Sequence, residues 1–277
     1  MADKLRTLLR LYRVYARMDL LWFLRDLRYC LLQMAADLVS AASCAAGIFL
    51  LAARFDGLCG LSRPQVLFLL GYATLVDGVY TMFFANNNAG QISRVIGRGQ
   101  IDHCIVQPVP LWAQLLTYGF APVSGCSLLL CGAGLTAWAA AWGGLSVNAL
   151  LLAPCALCSC AVIAGTVYVV SCLAFYAPVA AEEIAMKARS LFGEMKGYPL
   201  GGLPAGFQAL LCTGVPIALT GWVPARLLLG VARPAGWLLL ALGAAAAIGL
   251  ARCAFQKGLR HYAACGCGRY SSFGHRR

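Results

Sequence analysis

The sequence predicts an all-α membrane protein. Six transmembrane helices are expected, with an N-terminal interfacial amphipathic helix and short re-entrant outer helices before the last span. Three observations predict this. Of 277 residues, 61% are hydrophobic and only 12% are charged, whereas soluble domains carry about 25% charge. With a mean hydropathy of +0.76, disorder is excluded, and a water-soluble fold would leave large apolar patches in water. Apolar runs recur along the chain, enough for about six helices of ~20 residues. Finally, the cations sort to one side when the chain is threaded through six crossings.

Residues 1–28 come first. At 100° per residue, Arg6, Arg10, Arg13 and Arg17 share one narrow stripe, and Leu8, Leu11, Tyr15 and Trp22 lie opposite. A basic stripe backed by an aromatic–aliphatic face suits a helix lying in the lipid interface. The stretch is too basic, and the apolar run behind it too long, for a cleavable signal.

The spans are expected at residues 29–53, 66–85, 113–138, 149–177, 206–222 and 235–252 of a single transmembrane domain, 1–277. Gln33 and Asp37 interrupt the first, and Asp77 sits near the middle of the second. A carboxylate at helix centre costs about 2.5–3.5 kcal/mol on insertion scales, so Asp77 is expected to face the protein interior. There it either serves a substrate pathway or makes a structural hydrogen bond, and Asp37 and Gln33 are weaker candidates of the same kind. The fifth run is the weakest. Its apolar core, Phe207–Thr220, is as consistent with a re-entrant segment as with a full crossing, and Pro204, Pro216, Pro224 and Pro234 punctuate the region. Gly47, Gly71, Gly78, Gly132 and Gly134 are small enough to admit close helix approach.

The net charge of +12 would suggest nucleic acid in a soluble protein. With the N-terminus cytoplasmic, however, 18 of the 22 Lys and Arg residues fall inside and 4 outside. The positive-inside rule then sets both termini in the cytoplasm, and a nucleic-acid partner is not expected. The inside set includes Lys187, Arg189 and Lys196, read here as part of a cytoplasmic loop.

Between the second and third spans lies a long cytoplasmic loop, 92–108. Arg94 and Arg98 share a helix face, and Ile92, Val95 and Ile96 occupy another. Gly97 and Gly99 permit a bend, Asp102 is placed to cap the turn that follows, and Pro108 stops it. A structured loop of this length is usually functional. A plain return of the chain along the surface is the alternative.

The tail, 253–277, holds Cys265 and Cys267 with His261 and His275, a weak metal pattern because structural zinc wants paired Cys-x2–4-Cys spacing; no metal is expected. Most of the 14 cysteines lie in apolar runs, where Cys acts as a small hydrophobe. No nucleotide-cradling Gly-x4-Gly-Lys-Ser/Thr, no Gly-x-Ser-x-Gly and no His-Glu-x2-His occurs. Catalysis and cofactor binding by this chain are therefore not expected.

Ile96-Gly97-Arg98-Gly99-Gln100-Ile101-Asp102, followed by Gln107-Pro108-Val109, resembles a pattern in type-2 permeases of ATP-binding-cassette transporters. Tyr198-Pro199-Leu200, Val215-Pro216-Ile217, Val223-Pro224-Ala225 and the ending Phe255–Tyr262 look like further signatures of that branch, in the same order. Gln107 departs from it, standing where a basic residue often precedes the proline, and Glu182–Lys196 is more charged than expected. The resemblance implies the permease subunit of a bacterial exporter in the plasma membrane. It also implies cytoplasmic ATPase subunits carrying ATP and Mg, and a second permease chain, identical or related. By position it gives an ATPase-coupling role to Arg94, Arg98, Gly99, Asp102 and Pro108. A secondary transporter or channel without an ATPase would need broken helices in two related halves and several ionisable residues at depth; a membrane scaffold would not need the loop pattern.

Overall fold

The structure, a computed structural model, describes residues 2–85, 92–97, 100–117 and 120–265. The described residues are all-α apart from one isolated bridge, Leu58 to Leu61. Helix α1 (Ala2–Leu24) is followed by α2 (Leu27–Arg54), which Asp26 caps by accepting from the Tyr29 N–H at 3.1 Å. A turn at 55–62 leads to α3 (Arg63–Tyr80), where Pro64 occupies the first turn and the Ser62 N–H donates to Gln65 Oε1. One π-helical turn, Thr81–Ala85, continues it. Two short helices follow, α4 (Ile92–Gly97) and α5 (Gln100–Val106). The expected third span divides into α6 (Leu111–Thr117) and α7 (Pro122–Gly143). Proline at the start of α7 lacks the N–H needed to continue from α6, and Gly144 ends α7 in the left-handed conformation, φ +56°.

Helix α8 (Ala149–Ser171) runs through a 3-10 turn, Cys172–Phe175, into α9 (Pro178–Met195). Then come α10 (Ala205–Thr213), α11 (Trp222–Leu228) and α12 (Ala235–Cys265). At 31 residues, α12 is ~46 Å long at 1.5 Å per residue. It therefore extends past the expected span boundary at 252, and residues 253–265 of the expected tail are helical.

Among the described residues, five helices are long and apolar enough to cross a membrane: those beginning at Leu27, Arg63, Pro122, Leu150 and Ala235. Of these, α3 is the central one. It packs along α7, where Gly71, Gly78 and Gly132 bring the backbones together: a Cβ on Gly132 would lie 2.3 Å from the Leu75 nitrogen. Gly47 and Gly134, expected to act alike, face open space instead, and a Cβ on either would meet nothing within 4 Å. Helix α2 leaves most of its apolar surface uncovered by the chain, including Leu32, Val39 and Leu50, as a lipid- or protein-facing helix does.

The stretch expected as the fifth crossing, 206–222, is bent. Helices α10 and α11 meet at 74° around a buried tip, Ile217–Leu219. The Leu219 carbonyl accepts from Ser159 in the middle of α8, and a Cβ on Gly243, eight residues into α12, would touch Leu219. The pair has the bend of a broken span or of a re-entrant loop, and counted as one span it would bring the candidates to six. Helix α9, which the sequence pattern assigns to a loop, packs against α8, α4 and the 3-10 turn at 172–175. Its first turns pair with α4 through Glu182, and the chain just beyond it reaches the 55–62 turn, where Gly201 packs on the Cys59 carbonyl. With 18 residues it covers ~27 Å.

Candidate functional site

The middle of the bundle holds a charge cluster. Arg189 Nη2 donates to Asp77 Oδ1 at 2.6 Å, and Lys196 Nζ donates to Asp77 Oδ2. The Arg189 guanidinium lies over the Tyr80 ring, 4.7 Å from its centroid, a favourable cation–π arrangement. Only 13% of the Asp77 side chain is exposed, with 16% for Lys196. The α9 periodicity explains the meeting. Ala181, Ala185 and Phe192 are buried along one stripe, and this seats α9 against the bundle with Arg189 and Lys196 turned to α3. Gly221 at the start of α11 completes the fit, since a Cβ there would collide with the Lys196 carbonyl at 2.2 Å. Asp77 is thus interior, and its partners are the cations assigned from sequence to a cytoplasmic loop.

Beside the cluster is a cavity of about 290 Å³. Helix α2 lines it with Asp37, Cys44 and Ile48, α3 with Leu70, Thr74 and Asp77, and the end of α9 with Glu194 and Lys196. Gln33 is not on its wall. It donates from Nε2 to Asp37 Oδ1 at 3.0 Å, and Ser127 Oγ donates to Asp37 Oδ2 at 3.4 Å. Sequence reasoning named Asp77, Asp37 and Gln33 and missed Arg189, Lys196, Glu194 and Ser127. A usable signal existed: a deep acid needs a counter-charge, and Ala181, Ala185 and Phe192 keep helical spacing through the charged stretch.

A second polar–apolar knot lies where α4 and α5 meet α9 and α12. Ile92, Val95, Ile96 and Ile101 are buried against Phe175, Phe255 and Tyr262. Arg94 Nε pairs with Glu182 Oε1 at 2.5 Å, so this side chain is engaged within the chain. Asp102 lies inside the first turn of α5 rather than capping it, and accepts from the Tyr262 hydroxyl at 3.0 Å. Pro108 is exposed two residues past the end of α5; Arg98 and Gly99 lie outside the described residues. Ile105 and Val106 are exposed on α5, 47% and 86%.

On α1, Arg6, Arg10, Arg13, Arg17 and Trp22 are exposed. Its inner face is held by Tyr12, whose ring stands 6.3 Å from that of Phe83 and 6.2 Å from that of Phe120, and by Asp19, which accepts from the Phe120 N–H at 2.8 Å. Burial, and then the Asp19 carboxylate, push the Tyr12 phenol up to about 12. In the tail, Cys265 Sγ is 3.9 Å from His261 Nδ1; Cys267 and His275 lie outside the described residues. Among the described residues no three side chains are grouped to hold a metal ion.

A family model for the ABC-2 family transporter protein matches residues 38–266, a stretch that contains the charge cluster, the bent α10–α11 pair and the α4–α5 knot. No curated protein and no solved structure matches the chain. With most of its length matched and its helices apolar and multi-pass, the chain belongs to the ABC-2 transporter family, as a membrane permease component of such a transporter.

Proposed function

We propose that the chain forms the substrate pathway of an ATP-driven exporter and is driven by a separate cytoplasmic ATPase subunit that carries ATP and Mg. A second permease chain, identical or related, completes the pathway in a bacterial plasma membrane. The observation that carries this reading is the α4–α5 knot. Two short helices are anchored to α9 and α12 by buried isoleucines, by Arg94–Glu182 and by Tyr262–Asp102, while Ile105, Val106 and Pro108 remain outside. Such a knob transmits motion because its base is rigid and its tip is free to dock. The docking contact is accordingly read at the α5 end, with Arg94 and Asp102 holding the knob from behind.

We read α9 as the fifth crossing and α10–α11 as the re-entrant pair. Both termini then stay on one side. Moving Lys187, Arg189 and Lys196 into a span leaves 15 cations inside against 4 outside, so the positive-inside argument still favours cytoplasmic termini. The ionisable groups at depth favour one other reading, a secondary transporter. Co-expression with the partner ATPase separates the two. Co-purification, with ATP hydrolysis stimulated by wild type and lost on Val106→Asp, supports the exporter. Transport that follows an ion gradient and ignores ATP supports the alternative.

A further inference from the structure

Three carboxylates line the mid-bundle cavity, and only one has its charge answered. Asp77 is matched twice over, by Arg189 and Lys196. Asp37, about ten residues into α2, or ~15 Å along the helix, meets only neutral donors, Gln33 and Ser127. Among the described residues no Lys or Arg forms an ion pair with it. Glu194, on the same wall, accepts from Ser190 at 2.6 Å and likewise has no cation among the described residues. Three carboxylates therefore face two cations, in a space that Ile48, Leu70, Leu128 and alanines also line, beside the small polar groups of Ser40, Cys44 and Thr74. Ionisable residues kept at membrane depth are rare because they are costly, and they mark pathways when no structural partner neutralises them.

From this we infer that the cavity between α2, α3, α7 and α9 binds an organic cation with an apolar body. The positive centre pairs with Asp37 and the body lies on Ile48, Leu70 and Leu128. This rests on the permease reading and names the substrate class it would carry. Ser40, Cys44 and Glu194 are exposed, so the ligand enters from that side. The Asp77 cluster forms the closed inner wall. With one carboxylate and two cations the cluster carries an excess positive charge, which Asp37 and Glu194 together outweigh, so the cavity as a whole favours a cation.

The test uses the purified full-length chain in maltoside micelles and equilibrium dialysis against tetraphenylphosphonium. Its isosteric anion, tetraphenylborate, is the control. Wild type is expected to bind the cation saturably and not the anion. Asp37→Asn should weaken binding by about tenfold or more, with Asp37→Glu recovering most of it. Ile48→Trp, which fills the cavity without touching charge, should weaken it as well. Circular dichroism checks that each variant is folded. Adding phosphatidylethanolamine or phosphatidylglycerol separates a lipid amine from a free cation. Displacement by the amine lipid alone assigns the site to a lipid headgroup, and displacement by neither assigns it to a free cation. Three results overturn the inference: no saturable binding by wild type, equal binding of the anion, or equal displacement by both lipids. Binding unchanged in both Asp37→Asn and Ile48→Trp does so too. ATPase co-purification is scored separately, so a chain that stimulates its ATPase yet binds no cation refutes this inference and leaves the permease reading standing.

Discussion

Asp77 on α3 and Arg189 on α9 meet at 2.6 Å across 112 residues of sequence. Their pairing fastens a helix rich in charge to the most buried helix of the bundle. Lys196, one residue past the end of α9, takes the other carboxylate oxygen. Both cations depend on the acid, whereas the acid keeps its charge compensated while either cation remains.

Removing the acid should therefore be the damaging change. Breaking a buried ion pair costs about 3–5 kcal/mol, because the partner charge is left uncompensated. Asp77→Ala strands two cations, whereas Lys196→Met leaves a one-to-one pair of Asp77 with Arg189. Thermal unfolding in detergent is expected to show a large loss for Asp77→Ala and a clearly smaller one for Lys196→Met. Equal losses would disprove the cluster's asymmetry.

Glycines offer an internally controlled pair. Gly132→Ala drives a methyl group into the Leu75 backbone at 2.3 Å, and Gly134→Ala points one into open space. Overpacking costs about 1–3 kcal/mol. Folded yield and unfolding temperature should fall for the first and hold or rise slightly for the second. If both behave alike, the α3–α7 approach is not tight at Gly132.

Arg94 is half-exposed and its partner Glu182 about one-third exposed. Such pairs contribute about 1 kcal/mol or less to stability. The expected effect of Arg94→Glu is thus on the seating of α4 against α9 more than on folding. ATPase stimulation should drop with the single change and return in Arg94→Glu combined with Glu182→Arg. Failure of the swap to restore it would mean Arg94 acts on the ATPase directly.

Tyr12 gives a pH signature. Its phenol is held at about 12 when folded, against about 10 in an unfolded chain. The folded state therefore binds the proton more tightly. The stabilisation is fully present below pH ~10 and is lost as pH rises from about 10 to 12. Crosslinking of α1 to the start of α7 through cysteines placed at Ala16 and Ala121 should decline over that window, and Tyr12→Phe should flatten the decline.

The all-α membrane class was legible because it rests on local properties. Run length and hydropathy place α2, α3 and α8 near the expected 29–53, 66–85 and 149–177, since a segment's cost of leaving water depends on its own side chains. The basic stripe of α1 and the buried isoleucines of α4 are equally local, being set by helical period. Asp77 was recognisable as interior because a lone deep carboxylate is costly wherever it sits. Helix α9 was not recognisable as part of the bundle. Its Glu182, Glu183, Lys187, Arg189 and Glu194 read as a solvated loop, and nothing nearby in sequence offsets them. What offsets Arg189 and Lys196 is Asp77, and what offsets Arg94 is Glu182, all three pairs formed by residues about 90 to 120 positions apart. The sequence alone determined which segments prefer lipid to water. Only the tertiary structure decided which charges may enter with them, because the energy of a buried charge belongs to its partners and not to its own helix.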